Sequence, residues 1–428
     1  MKSKIVFIPV LVLTVFVLSD CSNKDQSRVL EEVPFKEGEI TKVFIERINP
    51  EIKEVKLSKF ILDFQVIPLE TKEECLIANN WITFCETSIL VGTQHSTGPA
   101  RLFRFDHQGN FINEIGKPGN GPGEHTGYWI NDIHCYNTNQ TILVNWYGGK
   151  SNPQIFNFKG SFLKEIDQPY RFLDIHKWSD SVWFSTGTFA GKPGNTEDSI
   201  ALVFYDKDGR VIRKIPRKTF PPKNTKKYSP GSLGSSPSLY QYKDQWRLYM
   251  SGNDTVFRIR ELKLYPLAVL VPGKNILPYN EPMSPNQLAG KYSLGILTET
   301  NGNWFIKKNV ISEADLKRRQ TGRWRVSIET EDRIIVIDKQ NSKGARIKLI
   351  DDIFHIFPSN LLSMGLRWMD KRMFFAIPPI KLKEFIEKGN LDKVKSQKTK
   401  EIIDEIKQVP LDANPVIFSF TLKDKFEI

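Results

Sequence analysis

The stretch LFRFDHQGNFINEI, Leu102–Ile115, decides the fold. Apolar and polar residues alternate on both sides of a turn that contains Gly109, which is the pattern of two half-buried strands joined as a hairpin. The same pattern returns as IFNFKGSFLKEI at Ile155–Ile166 and as LVFYDKDGRVIRKI at Leu202–Ile215. Each turn contains a glycine, which we expect because tight hairpin turns place a residue at positive φ.

These hairpins recur at a regular interval along the chain. Their turn glycines, Gly109, Gly160 and Gly209, are spaced 51 and 49 residues apart. Such a period, with several strands in each repeat, is typical of a β-propeller, in which a ring of small sheets buries both faces of every sheet. The length of the chain fits six blades better than seven. We therefore predict an all-β fold, a six-bladed β-propeller, with two β-sandwiches as the alternative.

Two features near the C-terminus complete this prediction. Ile380–Gln408 has a helical pattern of apolar residues among many Lys and Glu, and we predict a helical insertion (residues 380–408) in the last blade. The following Val416–Phe420 alternates as a strand. A terminal strand commonly completes the blade begun at the other terminus of a propeller, so we expect it to close the ring.

The N-terminus has the pattern of an export signal. Lys2 and Lys4 precede the apolar run Ile5–Leu18, whose 14 residues suit a signal peptide and are too few for a membrane span. The next residues, through Cys21, resemble a bacterial lipobox, although Asp20 stands where a small residue is usual. We predict a lipoprotein signal peptide at residues 1–20, lipidation of Cys21, a polar tether at 21–42 and the propeller at 43–428. A plain secretory peptide is the alternative.

Composition and charge limit the class of partner. The chain has 428 residues, 40% of them hydrophobic, and a formal net charge of +12. A basic chain often binds nucleic acid or an anionic surface. Export makes nucleic acid a poor candidate, so we expect no nucleic-acid partner and place the protein at the outer membrane, held to lipid through Cys21. Whether it faces the periplasm or the cell surface stays open.

Three cysteines remain after Cys21, and an odd number cannot form a complete disulfide framework. They are Cys75, Cys85 and Cys135. One bridge, between Cys75 and Cys85 across a hairpin, and three buried thiols are equal alternatives at this point.

The glycine-rich motif after the first hairpin resembles a known family. Residues 116–124, GKPGNGPGE, resemble a motif of the six-bladed β-propeller lipoproteins of Bacteroidetes, which are related in architecture to NHL-repeat and TolB-like propellers. Ile67–Thr71 is similar to that family's opening strand, and Asn414–Val416 is similar to its closing strand. The resemblance implies the same fold and the same outer-membrane address. It also implies a binding or nutrient-capture role beside outer-membrane transporters.

One repeated unit has the residue types of a metal site. Asp132-Ile133-His134 and Asp174-Ile175-His176 stand 42 residues apart. Residues i and i+2 of a strand share a face, so each Asp would lie beside its His. If both strands line the central channel, all four groups could meet and bind Zn²⁺ or another divalent ion. The alternative is that each Asp caps a turn while each His packs between blades, with no cofactor.

The remaining site candidates are aromatic. Trp129 and Trp146 could stack on sugar rings if exposed, whereas packing between blades is the commoner fate of tryptophan. No nucleophile elbow of the form GxSxG and no HExxH helix occurs in the sequence, so we assign no catalytic residue. We therefore predict a binding or accessory protein, capturing a glycan or peptide beside a TonB-dependent transporter or another envelope protein, rather than an enzyme. The alternative is a metal-dependent hydrolase or lyase that uses the central channel.

Overall fold

The structure is a computed structural model. It describes residues 40–94, 98–148, 152–169, 174–186, 200–216, 238–249, 255–276, 291–310, 334–358, 367–369 and 371–425. The predicted signal peptide, Cys21 and all but the last three residues of the predicted tether lie outside this part of the chain.

The described strands form six sheets of four or five strands, arranged as a six-bladed β-propeller, which confirms the predicted fold. Blades 1 to 3 are antiparallel meanders of four consecutive strands. Blade 1 contains β4 (Asn79–Phe84), β5 (Ile89–Gln94), β6 (Arg101–Phe105) and β7 (Phe111–Glu114). Blade 2 contains β10 (Trp129–Tyr136), β11 (Thr141–Tyr147), β12 (Gln154–Asn157) and β13 (Phe162–Glu165). Blade 3 contains β14 (His176–Lys177), β15 (Val182–Thr186), β16 (Ile200–Asp206) and β17 (Val211–Pro216).

Blades 4 to 6 each include a strand from the N-terminal segment. Blade 4 contains β18 (Ser238–Tyr242), β19 (Gln245–Tyr249), β20 (Thr255–Arg260), β21 (Lys263–Val271) and β1 (Thr41–Phe44). Blade 5 contains β22 (Tyr292–Glu299), β23 (Asn303–Val310), β24 (Ile334–Asp338), β25 (Gly344–Ile350) and β2 (Asn49–Lys56). Blade 6 contains β26 (Arg367–Met369), β27 (Arg372–Ile377), β28 (Val416–Leu422) and β3 (Ile61–Pro68).

The ring is closed by pairing of the two ends of the chain. β28 runs antiparallel to β3, with Ile417 opposite Ile67. The side chain of Asn414, which is buried, accepts a hydrogen bond from the Ile77 N–H (2.8 Å) and donates to the Glu70 carbonyl (2.7 Å). The C-terminal strand therefore completes the blade that the N-terminal segment begins, as the sequence predicts.

The N-terminal segment also follows the outer edges of two further blades. β1 pairs in parallel with β21, and β2 pairs in parallel with β25. A short helix, α1 (Leu57–Phe60), connects β2 to β3 and buries Leu57 and Phe60. β1 begins at Thr41, two residues before the predicted start of the propeller. The added strands cover sheet edges that would otherwise expose unpaired backbone groups.

The three glycine hairpins occupy equivalent places in blades 1, 2 and 3. Gly109, Gly160 and Gly209 have φ of 90°, 87° and 74°, as hairpin turns require. In each turn the glycine N–H donates to the carbonyl three residues earlier, at Asp106, Asn157 or Asp206. The repeat predicted from the sequence therefore corresponds to the repeat of the fold.

Apolar side chains fill the space between neighbouring blades. The second strand of a blade is buried on both faces, as in β5 and β11, because a blade stands on each side of it. In contrast, all four residues of the outermost strand β13 are exposed. The first strands of neighbouring blades contact one another, as β4 does with β10 and β22 does with β26, which places them innermost in the ring.

A disulfide joins blades 1 and 2. It connects Cys85, directly after β4, to Cys135 on β10, whose Cα atoms are 5.7 Å apart. Cys75 is a free, buried thiol. The expected bridge between Cys75 and Cys85 is therefore wrong, and so is the expectation of three thiols. The bonded cysteines face each other from adjacent inner strands, whereas Cys75 lies in the 3₁₀ turn Glu73–Cys75 of the connection that precedes blade 1.

The predicted helical insertion lies between β27 and β28. It consists of α2 (Pro379–Lys388), the 3₁₀ turn Leu391–Lys393 and α3 (Gln397–Gln408). Leu382, Ile386, Ile403 and Ile406 are buried in the same apolar cluster as residues of blades 5 and 6. The helices thus cover one side of the closing blade. No helix within the described ranges is long and apolar enough to cross a bilayer.

Candidate functional site

A β-bulge on the innermost strand of blade 2 determines which side chains share a face. Along β10, Trp129 lies opposite Tyr147, whereas Asp132 lies opposite Asn145, because the pairing shifts between Ile130 and Asp132. Directly opposed residues of an antiparallel pair point to the same side of the sheet. The bulge therefore brings Trp129 onto the face that carries Asp132 and His134.

The two faces of β10 have different surroundings. Ile130, Ile133 and Cys135 belong to the apolar cluster that blade 2 shares with blade 1. The opposite face meets blade 3, where Tyr136 packs against the cluster that contains Trp183 and Tyr205. Asp132 and His134 are therefore on the side of blade 2 that faces blade 3.

The two Asp-Ile-His units meet at this junction, as the sequence predicts for adjacent inner strands. Nε2 of His134 lies 2.8 Å from Oδ2 of Asp132, and Nε2 of His176 lies 3.9 Å from the same oxygen. One ligand atom from each of Asp132, His134 and His176 lies within 4.8 Å of the others. The imidazole centroids are 4.6 Å apart and nearly perpendicular. Two imidazoles thus face one carboxylate oxygen.

Asp174 holds the second histidine and is held in turn by blade 3. Its Oδ2 lies 3.2 Å from Nε2 of His176. The Thr186 N–H donates to its Oδ1 (2.9 Å), and the Thr186 hydroxyl donates to its Oδ2. These hydrogen bonds fix the Asp174 carboxylate on the edge of β15 and leave it beside His176.

The electrostatics of the cluster favour charge on the pair Asp132 and His134. Burial would raise the pKa of Asp132, but His134, His176 and the Ile175 N–H outweigh burial and lower it. Burial would likewise lower the pKa of His134, but Asp132 and Asp174 outweigh burial and raise it. The cluster therefore favours an ionised Asp132 beside a protonated His134, and a metal ion bound to His134 would replace that proton.

Aromatic rings enclose the histidines. His176 is 7% exposed and contacts the rings of Phe184 and Trp246, with centroids 5.1 and 4.9 Å away. The ring of His134 lies parallel to that of Tyr136, whose hydroxyl accepts a hydrogen bond from the Lys177 N–H (3.2 Å). Burial raises the pKa of Tyr136, so its phenol is neutral at physiological pH. These contacts restrict the rotamers of both imidazoles.

An exposed aromatic rim lies at the start of β10. Its residues, Tyr128, Trp129 and Tyr147, are 54%, 42% and 48% exposed. The rings of Tyr128 and Tyr147 meet edge to face at 5.9 Å, and the Tyr128 ring packs over Gly148, where a Cβ would stand 1.8 Å from a ring carbon. We call these three residues the aromatic rim.

Trp146, the second predicted stacking residue, is not available to a ligand. It is 4% exposed, its indole N–H donates to Oε1 of Gln154 (3.0 Å), and its ring stacks on His125 at 3.5 Å. Trp146 lies opposite Ile130 and so faces blade 1. Trp129 and Trp146 thus lie on opposite faces of blade 2. The prediction that Trp146 could stack on a sugar ring is wrong, because its ring is buried between blades.

The glycine-rich motif is a tight connection between blades 1 and 2. It forms a two-stranded parallel ladder of β8 (Lys117–Pro118) and β9 (Glu124–His125). The Gly121 N–H donates to the Glu124 carboxylate (2.7 Å), which lies so near Gly119 that a Cβ there would stand 2.0 Å from Oε2. The glycines therefore make room for the motif's own glutamate.

Sequence reasoning missed several residues of this region. Tyr128, Tyr147 and Trp246 carry no motif, and only the register of β10 and the ring order of the blades bring them to the site. The bulge leaves one signal in the sequence, since Trp129 breaks the two-residue alternation that links Asp132, His134 and Tyr136.

Comparison with known proteins agrees with the fold class, a six-bladed β-propeller. Residues 41–421 match the family model described as "Domain of unknown function (DUF4934)". The chain therefore belongs to the DUF4934 family. No curated protein matches the sequence.

Solved structures of Bacteroides proteins are similar to this chain, and one of them has the same fold. One is a protein from Bacteroides fragilis NCTC 9343 whose export is inferred. It is 15% identical, with a TM-score of 0.61, and the match covers 90% of this chain and 99% of that one. A Bacteroides thetaiotaomicron VPI-5482 protein of unknown function is 7% identical, with a TM-score of 0.39 over 84% of this chain and 76% of that one. At 15% identity the likeness to the Bacteroides fragilis protein concerns the fold, and it bears out the predicted resemblance to Bacteroidetes propellers.

Proposed function

We propose that this chain is an exported, outer-membrane-anchored binding protein that captures a carbohydrate on the aromatic rim. The observation that carries the proposal is the exposure of Tyr128, Trp129 and Tyr147 where the start of β10 meets the end of β11, next to the part of β10 that presents Asp132 and His134. Sugars have apolar C–H faces that stack on aromatic rings and hydroxyl edges that need polar partners. A concave site with a few polar groups among aromatic side chains supplies both.

The distance between the two parts of the site suits a small oligosaccharide. Because of the bulge, the partners of Trp129 and Asp132 on β11, Tyr147 and Asn145, are only two residues apart, which corresponds to about 7 Å at the usual rise per residue. One sugar unit on the rim would leave the next within reach of the Asp132 carboxylate.

Three observations support the cellular address. The signal and lipobox patterns end at Cys21, and a structurally similar Bacteroides fragilis protein is inferred to be exported. The bond between Cys85 and Cys135 is of a kind that persists in oxidising compartments. Lipid attached to Cys21 would hold the protein at the outer membrane, where a TonB-dependent transporter is the fitting partner for a captured nutrient. Cys21→Ser should release the protein from membranes, and an unchanged membrane fraction would refute the anchor.

The binding function is tested by calorimetric titration of the full chain with a panel of soluble oligosaccharides and peptides. We expect an oligosaccharide to bind, and Trp129→Ala to weaken it about tenfold, the value of one lost stacking contact. Leu163→Ala is the matched control, since Leu163 is 50% exposed on the outermost strand of the same blade. Equal affinity of both variants, or binding of peptides alone, would contradict the proposal.

The alternative function, a metal-dependent hydrolase or lyase, requires a bound ion at the blade 2–blade 3 junction. The same panel distinguishes it, because an enzyme would convert the ligand during the titration. An oligosaccharide that is recovered intact supports binding without catalysis.

A further inference from the structure

The geometry points to a divalent transition-metal site formed by Asp132, His134 and His176, with zinc as the best-fitting ion. This inference shares Asp132 with the carbohydrate proposal, but it rests on the convergence of ligand atoms from blades 2 and 3 and not on the aromatic rim.

The separations of the ligand atoms suit a single ion. Four-coordinate zinc binds nitrogen and oxygen ligands at about 2.0–2.2 Å, which places neighbouring ligand atoms roughly 3.4 Å apart. The distances from Oδ2 of Asp132 to Nε2 of His134 and of His176 are 2.8 and 3.9 Å, one on each side of that value. A metal ion would therefore need only small side-chain shifts to be bound by all three.

The ligand types select the class of metal. Two imidazole nitrogens and one carboxylate oxygen suit zinc and other first-row transition ions. Calcium and magnesium prefer sets made only of oxygen, at larger coordination numbers or with several waters. The site should therefore bind Zn²⁺ or Co²⁺ and leave Ca²⁺ in solution.

The ligands are positioned before any ion arrives. Asp132 accepts hydrogen bonds from the N–H groups of Ile133 (3.0 Å) and Ile175 (3.4 Å), so its carboxylate is fixed to both blades. His176 packs against the rings of Phe184 and Trp246, which also contact each other. Groups that hold metal ligands in place raise metal affinity, because less freedom is lost on binding.

The coordination of the ion would be incomplete. Three protein ligands leave at least one position for water or a bound molecule, as in sites that act on ligands and unlike closed structural sites. Asp174 is the nearest further carboxylate, but Thr186 already donates two hydrogen bonds to it. We therefore assign Asp174 no ligand role, and its 3.2 Å contact with Nε2 of His176, the atom that would bind the ion, would be replaced by the bond to the metal.

The test uses the full chain after removal of metals with a chelator. Titration with Co²⁺ should give stoichiometric visible d–d absorption bands, which Zn²⁺ should abolish and Ca²⁺ should leave unchanged.

The double variant His134→Ala/His176→Ala should bind Co²⁺ at least about 100-fold more weakly than the wild-type protein. His107→Ala is the matched control and should bind normally, since that half-buried imidazole lies in the hairpin turn of blade 1 and bonds to the Glu86 carbonyl. Asp174→Asn should lose less affinity than Asp132→Asn.

X-ray absorption of the zinc-loaded wild-type protein keeps the inference testable if the double variant fails to fold. The spectrum should show two imidazole ligands and additional oxygen. Absence of stoichiometric Co²⁺ binding, full binding by a folded double variant, or a zinc spectrum without imidazole would each overturn the site. No sugar is present in these measurements, so their outcome is separate from that of the carbohydrate titration.

Discussion

The turn at Gly160 in blade 2 packs directly against the backbone of Glu114 in blade 1. A Cβ on Gly160 would stand 2.3 Å from the Glu114 carbonyl oxygen. Gly109 stands in the same relation to Pro68 of β3, at 2.1 Å, and so joins blade 1 to blade 6. The hairpin glycines are therefore the points at which one blade packs on the preceding one.

Alanine at Gly160 should destabilise the protein more than alanine at Gly209. Both residues have positive φ, which costs an alanine about 1–2 kcal/mol. At Gly209 the nearest atom to a new Cβ is 3.1 Å away, so the cost of positive φ should account for nearly all of the destabilisation. At Gly160 the clash with Glu114 should raise the loss to about 3 kcal/mol. Urea denaturation of both variants measures the difference, and equal midpoints would show that the contact between blades is not rigid.

The disulfide between Cys85 and Cys135 should contribute about 4 kcal/mol to the free energy of unfolding, because it closes a loop across a sequence separation of 50 residues. Dithiothreitol should lower the urea midpoint of the wild-type protein. It should have no effect on Cys85→Ser/Cys135→Ser, in which Cys75 is unchanged. A peptide map that recovers Cys85 and Cys135 as free thiols would contradict this pairing.

The buried His125 should make the protein sensitive to acid. Burial lowers its pKa from 6.5 to about 4, so the unfolded chain takes up a proton at a higher pH than the folded protein does. Stability is therefore complete above pH 6.5 and falls as the pH drops toward 4. Between pH 7.5 and pH 4.5 the loss due to this one group is about 2.5 kcal/mol.

His125→Phe isolates this contribution, because a phenyl ring can still stack on Trp146. The variant should lose about 2.5 kcal/mol less than the wild-type protein over the same pH interval. Urea midpoints at the two pH values provide the comparison. An identical acid loss in both proteins would mean that His125 can be protonated in the folded state.

The sequence contains enough local information to predict the ring and part of its site. The hairpins at Gly109, Gly160 and Gly209 follow from alternation and turn chemistry, which act over a few neighbouring residues. The convergence of Asp132, His134 and His176 follows from the two-residue period of a strand together with the blade repeat. Closure by β28 follows from the same repeat, since a last blade that lacks one strand must borrow it.

Other features depend on pairings between distant residues and leave little local pattern. The parallel strand β1 lies against β21, with Thr41 opposite Ala268, and nothing near Thr41 indicates that partner. The burial of Trp146 depends on the bulge in β10, which no turn residue marks. The disulfide joins Cys85 and Cys135, which are about one blade repeat apart, so the repeat is consistent with this pairing. Cys75 and Cys85 are closer in sequence, and their spacing favoured the wrong pair.

The central claim is that the face of blade 2 toward blade 3 is the ligand site of this propeller. Anomalous diffraction at the zinc absorption edge, from crystals of the full chain soaked with Zn²⁺, tests it most directly. We predict a strong peak between Oδ2 of Asp132 and the imidazoles of His134 and His176. A map with no peak there, or with its strongest peak elsewhere, would contradict the claim.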